Sequence, residues 1–448
     1  MKQTFVGVIV VASLGFGLVQ LDVSIVNVAL VSFARELHAS TAGVAWIVDA
    51  YAITFACMLM GGGALGDRIG AKRTFLGGFA IFGIASLGCA LAPNLGILVA
   101  MRAIQGIGAA ALVPCSLALI AHAAGDDGNK RARAVASWTA AGSVALALGP
   151  VIGGVLLATT GWRGIFLINL PICAGAMWLT QRSVTETEKR AGRFDTLGQI
   201  LSVVALLGAT AGIIEAGALG FGAPIVRIAL VTMLLGGAAF TLVEARSEDP
   251  LMPLGFFRNA TFSAAVLTGL AINASLYATL FALGLYLQRE RGYSPLGVGF
   301  AFVPFAVMLG IANVLAGRLV GKLGPRVPLI GGLSLALGGF ALLLVCGAKT
   351  PYLALLPGLL VIPSGLGIAV PAMTSALLGT VPRERSGIAS GVLNTVRQAA
   401  GALGVATAAA LITRFGLVAG MQYLTLLWLL AIALAIGVAL FGISRKVQ

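Results

Sequence analysis

From Val6 to Ile443, apolar stretches of about 20 residues follow one another with little interruption. That is the length an α-helix needs to cross the ~30 Å hydrocarbon core of a bilayer. Cutting the chain at its charged and Pro/Gly clusters leaves fourteen, expected as helices near Val6 to Val31, Val44 to Leu65, Thr74 to Leu91, Leu95 to Ala118, Ala134 to Ala158, Arg163 to Leu179 and Leu197 to Ala216. The rest fall near Ile225 to Leu242, Thr261 to Leu287, Leu296 to Ala316, Val327 to Cys346, Leu353 to Leu377, Gly387 to Ile412 and Met421 to Ile443. They are numbered helix 1 to helix 14 in chain order. With 59% of its 448 residues hydrophobic and 10% charged, and a mean hydropathy of +1.03, the chain lies outside the range of soluble domains. A soluble enzyme is excluded.

The formal charge of +14 does not mark a nucleic-acid binder, because the 29 Lys and Arg residues alternate along the chain instead of clustering on a soluble face. Twenty lie at the termini and in loops after even-numbered helices, and seven lie in loops after odd-numbered ones. The remaining two, Arg102 and Arg397, fall inside helices. By the positive-inside rule this places both termini in the cytoplasm of a bacterial-type inner membrane. The first apolar run is too long for a signal peptide, and the stretch around Asp22 and Asn27 does not resemble a cleavage site, so it reads as helix 1. The five cysteines have no metal-knuckle spacing and read as packing residues.

Gly63 to Lys72 and Gly317 to Arg326 superpose at a constant offset of 254, pairing Gly63 with Gly317, Arg68 with Lys322, Gly70 with Gly324 and Lys72 with Arg326. Both copies follow an even-numbered helix, which implies two parallel halves related by an axis along the membrane normal. The expected division is a six-helix bundle over residues 1–182, a linker with two additional helices over 183–258, and a second six-helix bundle over 259–448. Helices 7 and 8 are expected between or beside the halves.

No Gly-x-x-x-x-Gly-Lys-Ser/Thr stretch is present, so active transport has to draw on an ion gradient. Ionisable groups inside hydrocarbon are costly and mark function by default; here they are Asp22, Asp49, Arg102 and Arg397. At 1.5 Å per residue, Asp22 is about 24 Å from the inner end of helix 1, and Asp49 and Arg102 are roughly 8 to 10 Å from the outer ends of helices 2 and 4. One cluster at that depth allows a carboxylate to alternate between pairing with Arg102 and carrying a proton. The competing reading makes Asp22 and Arg102 a fixed structural pair and places Asp49 near the headgroups. Gln20, Ser24 and Asn27 lie roughly on one face of helix 1, and Asp22 is about 200° from both Gln20 and Ser24. That face is expected to line the substrate path, and Asp22 to point at helix 4. Arg397, about 16 Å into helix 13, either caps carbonyls or faces the cavity as a site favouring anionic or zwitterionic substrates.

Helix 5 carries Gly142, Ala145, Gly149, Gly153 and Gly154 around Pro150, a small-residue face that lets a neighbouring backbone approach closely. From these motifs a resemblance emerges. Gly62 to Arg73, with Gly66, Asp67, Arg68, Gly70 and Arg73, resembles the loop 2-3 signature of the major facilitator superfamily. Gly142 to Gly154 resembles its helix 5 antiporter motif, and Arg102-Ala-Ile-Gln-Gly-Ile-Gly-Ala-Ala its helix 4 motif. Leu21-Asp-Val-Ser-Ile-Val-Asn-Val-Ala-Leu, Trp46-Ile-Val-Asp-Ala-Tyr and Trp162-Arg-Gly-Ile-Phe-Leu-Ile-Asn-Leu-Pro resemble the fourteen-helix drug:proton antiporter branch.

The resemblance implies an all-α membrane protein with the major facilitator fold: two six-helix bundles plus two inserted helices. It further implies alternating access with proton entry driving drug exit, Asp22 and Asp49 as coupling carboxylates, and Asp67, Arg68 and Arg73 as a latch on cytoplasmic helix ends. Where some relatives have an acidic residue in helix 13, this chain has Arg397 and Gln398, which argues against broad export of divalent cations.

A cavity for bulky drugs needs apolar walls with a few orienting polar groups. The candidates are Gln20 and Asn27, Tyr51 and Phe55, Asn273, Tyr277 and Phe281, Phe305 and Met308, and Asn394, Arg397 and Gln398. The leading expectation is a proton-coupled exporter of amphipathic drugs or antiseptics that acts as a monomer in the bilayer, without cofactor, metal or nucleic acid. A carrier of one small metabolite or anion, and a non-transporting membrane sensor or scaffold, are the alternatives. Selectivity across unrelated drugs separates the first two; the third calls for an attached soluble domain, for which no loop is long enough.

Overall fold

The computed structural model describes residues 5–125, 127–188, 195–247, 250, 252–381 and 386–443. Among the described residues, 14 helices are long and apolar enough to cross a membrane. Helices 1 to 7 are Phe5–Val28, Thr41–Ile69, Ala71–Ala90, Leu95–Ala124, Gly128–Thr160, Gly164–Ser183 and Thr196–Leu219. Helices 8 to 14 are Pro224–Arg246, Ala260–Arg289, Pro295–Leu323, Arg326–Leu343, Tyr352–Leu378, Ser386–Phe415 and Leu417–Gly442. Connections after odd-numbered helices gather on one face of the molecule, here the odd face, and those after even-numbered helices on the opposite, even face.

Several helices outrun the apolar stretches that announce them, because polar caps carry the first turn beyond the hydrocarbon. Ser40 Oγ accepts from Gly43 N at 3.1 Å, and Asn94 Oδ1 from Ile97 N at 3.0 Å. Asp127, Asn259 and Ser294 cap helices 5, 9 and 10 in the same way. Two expected helices are interrupted. Helix 1 ends at Val28, and a short helix, Leu30–Glu36, follows it. Helix 6 consists of Gly164–Leu167 and Asn169–Ser183, since Pro171 has no N–H for Leu167 and its ring crowds that carbonyl.

The chain packs as a repeat. Helix 1 lies on 5 and 6, helix 2 on 4, and helix 3 on 4 and 6. Each pair recurs eight helices later: 9 on 13 and 14, 10 on 12, and 11 on 12 and 14. The sequence repeat sits at matching corners, where Gly70 (φ 106°) ends helix 2 and Gly324 (φ 71°) ends helix 10, a left-handed backbone open to glycine. The halves meet through helix 5 against 10 and helix 2 against 13. Helix 7 packs on helices 2 and 13, and helix 8 packs on helix 7.

The second half has one continuous apolar core from Phe262 to Ile443, which also takes in Leu30, Val44 and Ala45 of the first half and Ile214 of helix 7. In the first half the core is split in two. Ile25, Ile47, Leu98, Trp162 and Phe166 lie toward the odd face, and Leu18, Phe55, Phe79, Phe82 and Leu112 toward the even face. Between them runs a layer of polar side chains. All five cysteines are unpaired and buried.

Candidate transport site

The polar layer is centred on Asp22, which is fully buried. Arg102 and Gln105, three residues apart on helix 4, share a helix face, and both reach Asp22. Arg102 Nη1 donates to Asp22 Oδ2 at 2.5 Å, and Gln105 Nε2 donates to Asp22 Oδ1 at 2.9 Å. The break in helix 6 brings in Asn169, whose Nδ2 donates to the same Oδ1 at 3.2 Å. Ser86 Oγ of helix 3 accepts from Gln105 at 2.9 Å and from Asn169 at 3.3 Å. Arg102 also donates through Nη1 to Gln105 Oε1 at 2.6 Å and through Nε to Ile47 O at 3.1 Å. Its guanidinium lies 4.3 Å from the centroid of the Tyr51 ring, a cation–π contact. A buried ion pair is sustained when further hydrogen bonds satisfy its remaining lone pairs and protons, and helices 2, 4 and 6 supply them here. Of this network, Ser86, Gln105 and Asn169 are not among the residues singled out from the sequence. The three-residue spacing of Gln105 from Arg102 was the available signal for the second of them.

Asp49 is in the opposite situation. It is fully buried, and neither carboxylate oxygen has a hydrogen-bond partner. No ion pair reaches it among the described residues.

Two cavities lie between the halves. One is lined by Val23, Tyr51, Phe55 and Arg102 from the first half and Tyr277, Gln398 and Gly401 from the second. The other is lined by Ser24, Asn27, Ser143 and Pro150, and by Leu276, Tyr277, Leu280, Phe302, Phe305 and Leu309. Helix 1 therefore presents Ser24 and Asn27 to a cavity and Asp22 to helices 3, 4 and 6.

Other expected cavity residues lie elsewhere. Gln20 and Met308 are half-buried and line neither cavity; Phe302, Ala306 and Leu309 take the face expected of Met308. Phe281 is fully buried in the second-half core, because one turn past Tyr277 also rotates a side chain by about 40°. Asn273, Asn394 and Arg397 form their own group: Arg397 Nε donates to Asn273 Oδ1 at 3.2 Å, and Nη1 to Asn394 Oδ1 at 3.5 Å.

The cavities are walled off toward the odd face. There the small residues of helix 5 meet two partners. A Cβ at Gly149 would collide with Ser24 of helix 1, and one at Gly154 with the Leu296 backbone of helix 10. A Cβ at Gly153 would meet Ile25, and one at Gly299 the Pro150 carbonyl. Helix 5 runs unbroken through Pro150. Gln288 Nε2 donates to Val28 O at 3.1 Å, and Arg289 to Thr41 Oγ1 at 3.4 Å, across the halves. Toward the even face, Gly310, Gly317 and Gly321 of helix 10 have open space beside them.

At the loop after helix 2, Gly66 is buried against Cys115 of helix 4. Asp67 and Arg68 are exposed and form no ion pair among the described residues. The contact made here is by Glu186, which the sequence reading did not single out. Its carboxylate accepts from Lys72 N at 2.9 Å and Arg73 N at 3.2 Å, lies 3.7 Å from Arg73 Nε, and occupies the space a Cβ at Gly70 would need.

A family model described as Major Facilitator Superfamily matches residues 12–405. The chain is 35% identical to the multidrug resistance protein Stp of Mycobacterium tuberculosis over 407 residues, 91% of this chain and 75% of that one. It is 37% identical to the methylenomycin A resistance protein of Streptomyces coelicolor over 392 residues, covering 88% and 82%. It is 33% identical to the drug efflux pump JefA of Mycobacterium tuberculosis, covering 89% and 78%. Among solved structures, a peptide transporter superposes with a TM-score of 0.74 at 14% identity, covering 99% of this chain and 96% of that one. That likeness concerns the fold alone. The chain belongs to the Major Facilitator Superfamily.

Proposed function

We propose that the chain exports amphipathic drugs or antiseptics in exchange for protons, as a monomer and without a cofactor. Its even face and both termini lie in the cytoplasm, and its odd face lies outside the plasma membrane. The observation that carries the coupling is Asp49, a buried carboxylate with neither donor nor cation among the described residues, about 12 Å from the odd-face end of helix 2. Such a group is held neutral by a proton and ionises where water or a cation reaches it. When the halves rock and the odd face opens, Asp49 gains that access from outside. The cavities, closed to that face, receive drug from the cytoplasmic side, and their apolar walls with few polar groups suit bulky amphiphiles. The named activities of the relatives, multidrug resistance and drug efflux, support the direction and the substrate class. The excess of Lys and Arg in even-side loops supports the orientation.

The test is ethidium uptake into everted vesicles under an imposed pH gradient, with the natural protein and Asp49→Asn. Gradient-driven uptake that disappears in the variant is the expected result. Undiminished uptake in Asp49→Asn removes Asp49 from the coupling. If neither ethidium nor any other drug moves, the exporter reading gives way to a narrow metabolite carrier.

A further inference from the structure

We infer that Arg397 recognises an anionic group, a carboxylate in particular, on the molecule the cavity accepts. The inference deepens the exporter reading by naming a substrate class, and it rests on that reading for the ligand's route.

Arg397 stands 11 residues into helix 13, about 16 Å along it, near the middle of a ~30 Å core. A cation there is costly without a counter-charge. Arg102 has one in Asp22. Among the described residues Arg397 has only neutral acceptors, the Asn273 and Asn394 side-chain oxygens. Residues 259–448 hold two acids in all, Glu290 and Glu384. Glu290 is 17 residues beyond Asn273, about 25 Å away along helix 9, and Glu384 lies outside the described residues. Asp49 lies on helix 2 toward the odd face, whereas Arg397 lies on the even side of Ala402, the helix 13 residue packed against Ile53 and Cys57.

The group is built rather than incidental. Asn273 Nδ2 donates back to Arg397 O at 3.0 Å while its oxygen takes Nε, which fixes the guanidinium plane. The Asn394 contact at 3.5 Å is weak enough for a better acceptor to replace, and Nη2 has no acceptor among the described residues. A carboxylate matches a guanidinium edge with two parallel hydrogen bonds. The cavity is adjacent: Gln398 and Gly401 line it, and so does Tyr277, one turn beyond Asn273. Arg397 itself lines neither cavity; its backbone position is one helical turn on the even side of Gly401. An acidic head bound there leaves an apolar body against Tyr51, Phe55 and Tyr277.

The test uses the purified full chain and two fluorescent amphiphiles of one skeleton, dansylglycine and its methyl ester, titrated separately. The natural protein is expected to bind the acid about tenfold tighter than the ester. Arg397→Gln is expected to bring the ratio near one, and Arg397→Lys to keep part of it. Asn273→Asp, nearly isosteric, supplies an internal counter-charge; it is expected to abolish the preference while raising the melting temperature. Equal binding of acid and ester by the natural protein overturns the inference, as does a preference that survives Asn273→Asp or Arg397→Gln. If vesicles move no drug but the acid preference and its loss in both variants hold, the exporter reading falls and the anion site stands.

Discussion

Asp22 and Asp49 are the same residue type in the same half of the molecule, and their surroundings set them apart. Asp22 accepts three hydrogen bonds, one from a guanidinium; Asp49 accepts none. Removing one partner of a buried ion pair leaves an uncompensated charge and costs roughly 3 to 5 kcal/mol. Arg102→Met is therefore expected to lower the melting temperature of the purified protein sharply. Asp49→Asn removes no bond, so it is expected to shift stability by less than about 1 kcal/mol even though gradient-driven uptake is lost. A melt in which both variants fall equally would refute this contrast. Helix depth alone brought Asp22, Asp49 and Arg102 to one level, since rise per residue is a local property. Which carboxylate meets the arginine depends on how each helix is rotated against its neighbours. Asn169 enters the network because Pro171 breaks helix 6, a consequence that periodicity does not display.

At the scale of elements, helix 5 uses its small residues on two sides, Gly149 and Gly153 against helix 1 and Gly154 against helix 10. The contact with helix 1 lies within one half, whereas the contact with helix 10 spans the two halves and, in the proposed cycle, parts when the odd face opens. Gly154→Ala places a methyl against the Leu296 backbone, an overpacking of about 1 to 3 kcal/mol borne by the closed state alone. Spin labels on the odd-face ends of helices 5 and 10 are expected to move apart in that variant; an unchanged distance would contradict the assignment of Gly154 to the seal. Gly70, just before helix 3, has no side chain to offer, and Glu186, together with Thr187, caps the helix from another segment. Glu186→Ala is expected to cost about 1 kcal/mol, as loss of a cap does, read as a lower melting temperature. The small-residue face of helix 5 was legible from spacing. Its two partners were not, and neither was Glu186, because a cap supplied 114 residues away leaves no local pattern.

For the whole molecule, the repeat of helix pairs eight apart follows from two halves with one packing plan, and the sequence announces it only at the corners that Gly70 and Gly324 turn. Orientation is checked by cysteine labelling, for which the five natural cysteines, all buried, leave little background. A cysteine at Gly161 or Gly220 is expected to react with a membrane-impermeant maleimide in intact cells, and one at Asp127 only after the membrane is opened; the reverse pattern would invert the topology. By itself the sequence determined the number of spanning helices, their depth of charge and the likeness of the two halves. Each of these follows from local hydrophobicity, rise per residue or repetition along the chain. Only the tertiary structure decided that Asp22 is satisfied and Asp49 is not, that Phe281 belongs to the core while Tyr277 reaches both cavities, and that Arg397 has no counter-charge among the described residues. Those outcomes depend on helix rotation and on partners distant in sequence, which hydrocarbon burial and packing select together.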